Sequence, residues 1–183
     1  MIIKEKEVLL KNGDKCILRS PKLEDAEQLI EYLKVTAGET DFLLKYPEEV
    51  TISEEQEKAI LQWFLDSERD AMIVAEVAGR IVGNCSFSPV GKKIRVSHRC
   101  SIGIALYENV WGLGIGTSLI QLLVEKAIEC GYEQMELEVV SRNDRAIRLY
   151  EKMGFVKCGS RPKAMKHKDG TYDDEIMMVK QLL

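Results

Sequence analysis

The spacing of apolar positions changes several times along the chain, and each change marks an element. Val8-Leu9-Leu10 and Cys16-Ile17-Leu18-Arg19 flank Asn12-Gly13-Asp14, the signature of a β-hairpin with a tight turn, and Pro21 ends the second strand. Leu23, Ala26, Leu29, Ile30 and Leu33 then recur at helical spacing, which predicts a helix over Leu23 to Val35 with its acidic residues early, where the helix dipole favours them. Residues 38–50 show no period. Ser53 and Gln56 form a capping-box pair ahead of a second helix, with Ala59, Ile60, Trp63 and Phe64 as its apolar stripe.

From Ala71 the pattern shortens to that of strands. Residues 71–77 and 81–88 make a hairpin around Ala78-Gly79-Arg80, and a further strand is expected from about Ile94 to Leu106. A helix follows from about Gly114 to Cys130. Ile115, Leu119, Ile120, Leu123, Val124 and Ile128 form its buried face, and Gly131 stands at its C-terminal cap. Met135 to Val140 alternates as a strand, a helix runs from near Asn143 to before Gly154, and strands begin at Phe155-Val156 and at Tyr172. Strands outnumber helices. One strand–helix–strand–helix–strand run sits within an otherwise hairpin-built sheet, which predicts a mixed α/β (α+β) single domain over residues 1–183.

Composition narrows the function classes. With 183 residues, 45% of them hydrophobic, the chain can build a core without disulfides or metals. A net charge of −4 disfavours general nucleic-acid binding, which needs Lys and Arg to displace counterions. No segment reaches the roughly twenty apolar residues of a membrane span, and the first six residues hold no signal-peptide core. Cys16, Cys85, Cys100, Cys130 and Cys158 are odd in number and never spaced C-x-x-C, which suits free thiols in a reducing compartment and argues against zinc. The expected address is the cytoplasm.

The first chemical signal lies at Ser101-Ile102-Gly103-Ile104-Ala105-Leu106 followed, after a short loop, by Trp111-Gly112-Leu113-Gly114-Ile115-Gly116-Thr117. A strand running through glycines into a helix start exposes unpaired N–H groups at the positive end of a dipole, a receptor for phosphate. A tight strand-to-helix connection needs the same glycines. The G-x-G-x-G spacing, with Thr117 where a third Rossmann glycine belongs, excludes that fingerprint, and the absence of Gly-Lys-Ser/Thr excludes a P-loop. A nucleotide-binding protein using the loop for ATP or NAD stays open on this evidence.

The second signal is Asn143-Asp144-Arg145-Ala146-Ile147-Arg148-Leu149-Tyr150-Glu151-Lys152-Met153-Gly154-Phe155. Gly112-x-Gly114-x-Gly116 together with Asn143-x-x-Ala146-x-x-x-Tyr150-x-x-x-Gly154-Phe155 resembles the GNAT superfamily of N-acetyltransferases, sharply from about Ile94 to Val156 and only in outline before residue 70. The sequence departs from the family pattern at Trp111, where Gln or Arg usually opens the loop.

The resemblance implies a central, mostly antiparallel sheet with one splayed parallel pair. It implies that the backbone of Ile104, Ala105 and Leu106 bonds the pantetheine arm of acetyl-coenzyme A. Amides from Gly112 and Leu113 through Gly114, Ile115, Gly116 and Thr117 would cradle the pyrophosphate, Asn143 and Ala146 would line the arm, and the Tyr150 hydroxyl would lie near the thioester sulfur. Acetyl-coenzyme A is then the co-substrate, with no metal, and the acceptor is a primary amine of a small molecule or peptide. An amine attacking the thioester carbon creates an oxyanion that preorganised N–H donors stabilise, and the leaving thiolate needs a proton donor, for which a phenol suffices.

His98, placed by parity on the same face of the central strand as Cys100, Ile102 and Ile104, is a candidate general base beside a structural role, with Glu76 and Glu108 behind it. Arg161, Lys163, Lys166, His167 and Lys168 read as a basic solvated loop between the last two strands. Arg142, Arg145 and Arg148 read as the wet side of a helix or as partners of the cofactor's adenosine phosphate. Glu39, Thr40 and Asp41 read as an acidic loop or as contacts for a cationic acceptor. The alternative to an enzyme is a non-catalytic acyl-coenzyme A-binding or regulatory module. A homodimer through an edge or C-terminal strand is compatible with the pattern.

Overall fold

The computed structural model describes residues 1–182. Its chain order is β1 (Lys6–Leu9), β2 (Lys15–Arg19), α1 (Ala26–Glu39), α2 (Glu54–Asp66), β3 (Ala71–Val77), β4 (Arg80–Pro89), β5 (Arg99–Leu106), α3 (Ile115–Glu129), β6 (Gln134–Val140), α4 (Asp144–Lys152), β7 (Val156–Lys166) and β8 (Tyr172–Gln181). The strands form one sheet ordered β1-β2-β3-β4-β5-β6-β8-β7. Every neighbouring pair is antiparallel except β5 and β6. The mixed α/β architecture expected from the sequence is therefore present.

Period-two alternation in β3 and β4 divides the apolar residues between two layers. Ala71, Ile73, Ala75, Val82, Cys85 and Phe87 join a core with Ile115, Leu119, Ile120 and Leu123 of α3 and Ile147 and Tyr150 of α4. Met72, Val74 and Ile81 join a second core with Leu29 and Tyr32 of α1 and Leu61 and Phe64 of α2. The helices thus cover both faces of the sheet, and only the central strands are buried on both sides.

The local signals that set the helix ends are formed. At α2, Gln56 N–H donates to Ser53 Oγ at 3.3 Å and Ser53 N–H to Gln56 Oε1 at 2.9 Å, a complete capping box. At the end of α3, Gly131 N–H reaches Ile128 O and Tyr132 N–H reaches Ala127 O, the paired bonds of a Schellman cap.

Four sequence-based expectations need correction. Helix α1 continues to Glu39, past Val35, because Thr36 is buried and returns its hydroxyl to Tyr32 O at 2.8 Å while Ala37 packs inside. Of the expected stripe of α2 only Phe64 is buried, beside Glu57 and Leu61, while Ala59, Ile60 and Trp63 are exposed. Ile128 of α3 is likewise 40% exposed. The basic run is strand rather than loop from Arg161 to Lys166, all within β7, and only residues 167–171 form the turn to β8.

Candidate active site

Strands β5 and β6 run parallel and pair only at Arg99 with Gln134, Cys100 with Met135 and Ser101 with Glu136. On their outer sides both remain fully paired: β5 follows β4 as far as Leu106 opposite Gly83, and β6 follows β8 as far as Val140 opposite Glu175. Residues 102–106 and 137–140 therefore present main-chain edges that no strand satisfies, on either side of a wedge opening toward the strands' C-terminal ends. Unpaired N–H and C=O groups inside a sheet call for a partner. An extended chain of amides entering the wedge would supply one.

The loop beyond β5 brings helix α3 to the mouth of this wedge. Trp111 Nε1–H donates to Leu106 O at 3.0 Å, closing the strand's end, and Tyr107 N–H bonds Val82 O at 3.0 Å. Gly112 and Gly114 take φ of 82° and 102°, left-handed values that side chains resist, and this bends the chain into the helix. Lys11 N–H holds Leu113 O at 3.2 Å from the β1–β2 turn. Among the described residues the first bond of α3 runs from Ser118 N–H to Gly114 O at 3.1 Å, so the amides of residues 113–117 stand free of the helix ladder. A Cβ on Gly116 would lie 3.0 Å from Leu149 Cδ2 and 3.4 Å from Leu106 Cδ1, so the first turn of α3 sits tight against both α4 and β5.

Helix α4 starts at the C-terminal end of β6. Asn143 N–H bonds Val140 O at 2.9 Å, and Asn143 Oδ1 accepts from Ala146 N–H at 3.1 Å as the N-cap. That bond assigns Asn143 a structural task that the motif alone did not reveal. Tyr150 lies two turns on, 7% exposed, with its ring edge-on to Phe155 at 5.8 Å. Phe155 N–H bonds Tyr150 O at 3.0 Å, so the cap of α4 fixes the ring pair. Burial, with Cys85 adding to it, pushes the Tyr150 phenol up to about 12. It remains a proton donor at any physiological pH.

Ile104 and Leu106 direct their side chains to the α3 layer, whereas Ala105 packs with α1 and Tyr107 on the other face. The strand's main chain is thereby left at the wedge. His98 lies off this strand. It belongs to the turn before β5, and its carbonyl accepts from Glu133 and Gln134 N–H at 2.9 and 3.2 Å. The strand was expected from Ile94, but residues 94–96 form a 3-10 turn and β5 starts at Arg99. His98 consequently sits at the closed end of the wedge, about 20 Å of strand from Ile104, and not on the central strand where it was expected. Glu76 is committed to Arg19 at 2.7 Å, and Glu108 donates its N–H to Glu39 Oε2 at 2.9 Å while its carbonyl accepts from Trp111 N–H at 3.1 Å.

A second cluster, unforeseen from the sequence, adjoins the C-terminal end of β6. Asp173, 9% exposed, accepts from Arg142 Nε at 2.8 and 2.9 Å, and His167 Nε2 lies 2.8 Å from its Oδ2. The Arg142 bonds hold the Asp173 carboxyl below the usual carboxylate range against its own burial. Asp41 meets Arg142 Nη2 at 3.4 Å, and the guanidinium lies 5.0 Å above the Phe42 ring. Lys168 N–H bonds Tyr46 Oη at 3.1 Å while its ammonium pairs with Glu48. Two recesses, of about 160 and 520 Å³, open between the 40–46 segment and the β7–β8 turn, and His167 lines both. A strand aspartate and an arginine 31 residues apart carry no local motif, so only the fold discloses this cluster.

A wedge of unpaired strand edges beside free helix-start amides is a binding geometry, and comparison supplies the family. A model of the acetyltransferase (GNAT) family matches residues 36–155. The chain belongs to that family. An N-alpha-acetyltransferase of Sulfurisphaera tokodaii is 29% identical over 175 residues, 94% of this chain and 96% of the relative. The crystal structure of a GNAT-family acetyltransferase from Streptococcus pneumoniae superposes with a TM-score of 0.86 at 26% identity, covering 91% of this chain and 99% of that one. A Salmonella typhimurium protein solved with its cofactor acetyl-CoA shares the fold, with a TM-score of 0.78 at 21% identity over 92% of this chain and 94% of its own.

Proposed function

We propose that this GNAT acyltransferase moves the acetyl group of acetyl-coenzyme A to a primary amine by direct attack within a ternary complex. The observation that carries the reading is the wedge between residues 102–106 and 137–140, set beside the free amides of residues 113–117. The pantetheine arm, an extended chain of amides, bonds the backbone of Ile104, Ala105 and Leu106. The amides from Leu113 to Thr117, with Gly112 and Gly114 shaping the loop, hold the pyrophosphate at the positive end of α3. Asn143 and Ala146 flank the arm from the start of α4.

In this reading the amine nitrogen forms a bond to the thioester carbon, and the carbon–sulfur bond breaks. Tyr150 gives its proton to the departing thiolate, and the proton lost by the amine passes to solvent. A phenol held near 12 by burial stays loaded for that task. Holding both reactants in one cleft supplies proximity, so the chain needs no covalent intermediate. The acceptor enters from the side of the 40–46 segment and the β7–β8 turn. We take the α-amino group of a peptide or amino acid as the first acceptor class to test, because the relative matched over nearly its whole length is named for that nitrogen.

The test is thiol release from acetyl-coenzyme A over a panel of amines, comparing wild type with Tyr150→Phe. Turnover that falls in the variant while cofactor affinity holds supports the reading. Tight cofactor binding with no turnover on any amine would instead favour a non-catalytic acyl-coenzyme A-binding module.

A further inference from the structure

Arg145 and Arg148, both exposed on α4, differ from the other arginines at this end of the molecule in having no carboxylate within ion-pair distance among the described residues, and of the two Arg145 lies over an aromatic ring. Arg142 is matched by Asp173 and Asp41, and Arg161 by Glu138 and Glu175. The Arg145 guanidinium lies 4.9 Å from the centroid of the Trp111 ring. Trp111 is itself fixed, because its indole N–H is bonded to Leu106 O at 3.0 Å. A ring anchored to the end of β5 thus holds a planar cation above the loop whose free amides open α3.

The placement favours a bound anion. Asn143 caps α4, so Arg145 lies in that helix's first turn, where the dipole opposes positive charge and Asp144 beside it offsets part of that effect. The first turn of α3 packs against the same helix through Gly116 and Leu149. Leu149 lies in the second half of α4, and it is the Arg145–Trp111 pair that brings the start of α4 beside the loop that opens α3. An anion bound there would satisfy the free amides, both dipoles and the arginine together.

We propose that Arg145, carried on the Trp111 ring, is a binding residue for the diphosphate of the co-substrate and does not serve the phosphate on its ribose. The proposal rests on the coenzyme A reading above. It follows from position: Trp111 immediately precedes Gly112-Leu113-Gly114, so a cation over its ring is next to the amide cradle itself. A guanidinium can bond two phosphate oxygens at once, which an ammonium cannot.

The experiment measures dissociation constants by calorimetry for coenzyme A, dephospho-coenzyme A and pantetheine, with wild type, Arg145→Ala, Arg145→Lys and Trp111→Phe. Circular dichroism and thermal melts confirm that each variant is folded. In Arg145→Ala, coenzyme A and dephospho-coenzyme A should weaken by the same factor, about tenfold or more. The advantage of dephospho-coenzyme A over pantetheine should shrink by that factor. Arg145→Lys should recover part of the loss, and Trp111→Phe, which keeps a ring but loses the bond to Leu106, should fall between. A loss confined to coenzyme A would assign Arg145 to the ribose phosphate and overturn the proposal, as would no loss at all. If wild type itself fails to prefer dephospho-coenzyme A over pantetheine, the coenzyme A reading fails first and takes this one with it.

Discussion

Tyr150 combines a packed ring with a strongly held proton. Its ring is packed edge-on to Phe155 within the core, and its phenol is held near 12 by that burial. An acid that must stay protonated until a thiolate appears profits from such a setting. Tyr150→Phe should lower kcat by about a hundredfold or more, with little change in the dissociation constant for acetyl-coenzyme A, read by steady-state kinetics beside calorimetry. Because the raised value lies far above neutrality, any alkaline fall in wild-type rate below pH 10 must come from another group. His98 provides the opposite case. Lying in the turn at the closed end of the wedge, His98→Gln should leave kcat and its pH profile as they are in wild type. A lost acid limb in that variant would restore the histidine to the mechanism. Asp173 makes a stability prediction of defined sign. Its folded-state carboxyl is held low by Arg142, so its contribution is present above the ordinary carboxylate range and disappears as pH falls through the lowered value. Asp173→Asn should cost about 1 kcal/mol at pH 7, discounted because the Arg142 side chain is 46% exposed. Urea unfolding at pH 7 and pH 3 should show that gap closing in acid.

At the scale of elements, what the sequence disclosed and what it hid follow one division. Signals confined to a few consecutive residues were legible: the Ser53–Gln56 box, the glycines that turn β5 into α3, and the Asn143 start of α4 all recur as hydrogen bonds or backbone angles. The phase of a helix and the first residue of a strand were not, because tertiary packing decides them. Glu57 lies buried on α2 while Trp63 is half exposed, an arrangement no hydrophobicity scale anticipates. Ile94 and Val96 are apolar enough for a strand yet coil into a 3-10 turn, and this alone moved His98 off β5. The Asp173 cluster was invisible because its partners come from three separate segments. Of the local signals, Gly114 is the most exacting. At a φ of 102°, Gly114→Ala would strain the backbone by about 1–3 kcal/mol. For a chain of this size that corresponds to a melting temperature lower by several degrees. Any relief of the strain turns the amides of residues 113–117 away from their present directions, so coenzyme A affinity should fall as well. A variant that melts early but binds as tightly as wild type would separate the loop's shape from its task.

The molecule as a whole is a sheet in two parts. Strands β1 to β5 form one ladder and β6, β8 and β7 another, and three residue pairs at 99–101 and 134–136 join them, helped by α3 and α4 across one face. A sheet interrupted at its centre gives up main-chain hydrogen bonds there, and the loss is tolerable only if water or a ligand takes them. A bound amide chain in the wedge would act as a short extra strand and complete the ladder between the two parts. The consequence can be measured without any knowledge of the acceptor. Hydrogen exchange with and without coenzyme A should show new protection at 102–106, 137–140 and 113–117, with little change at the already paired 99–101 and 134–136. Thermal stability should rise with ligand concentration, reaching about 2.7 kcal/mol at a hundredfold excess over the dissociation constant. Protection at 113–117 without any at 102–106 would mean that the phosphates are held while the arm lies elsewhere. The wedge would then be a water-filled gap rather than the place where the acetyl group is presented.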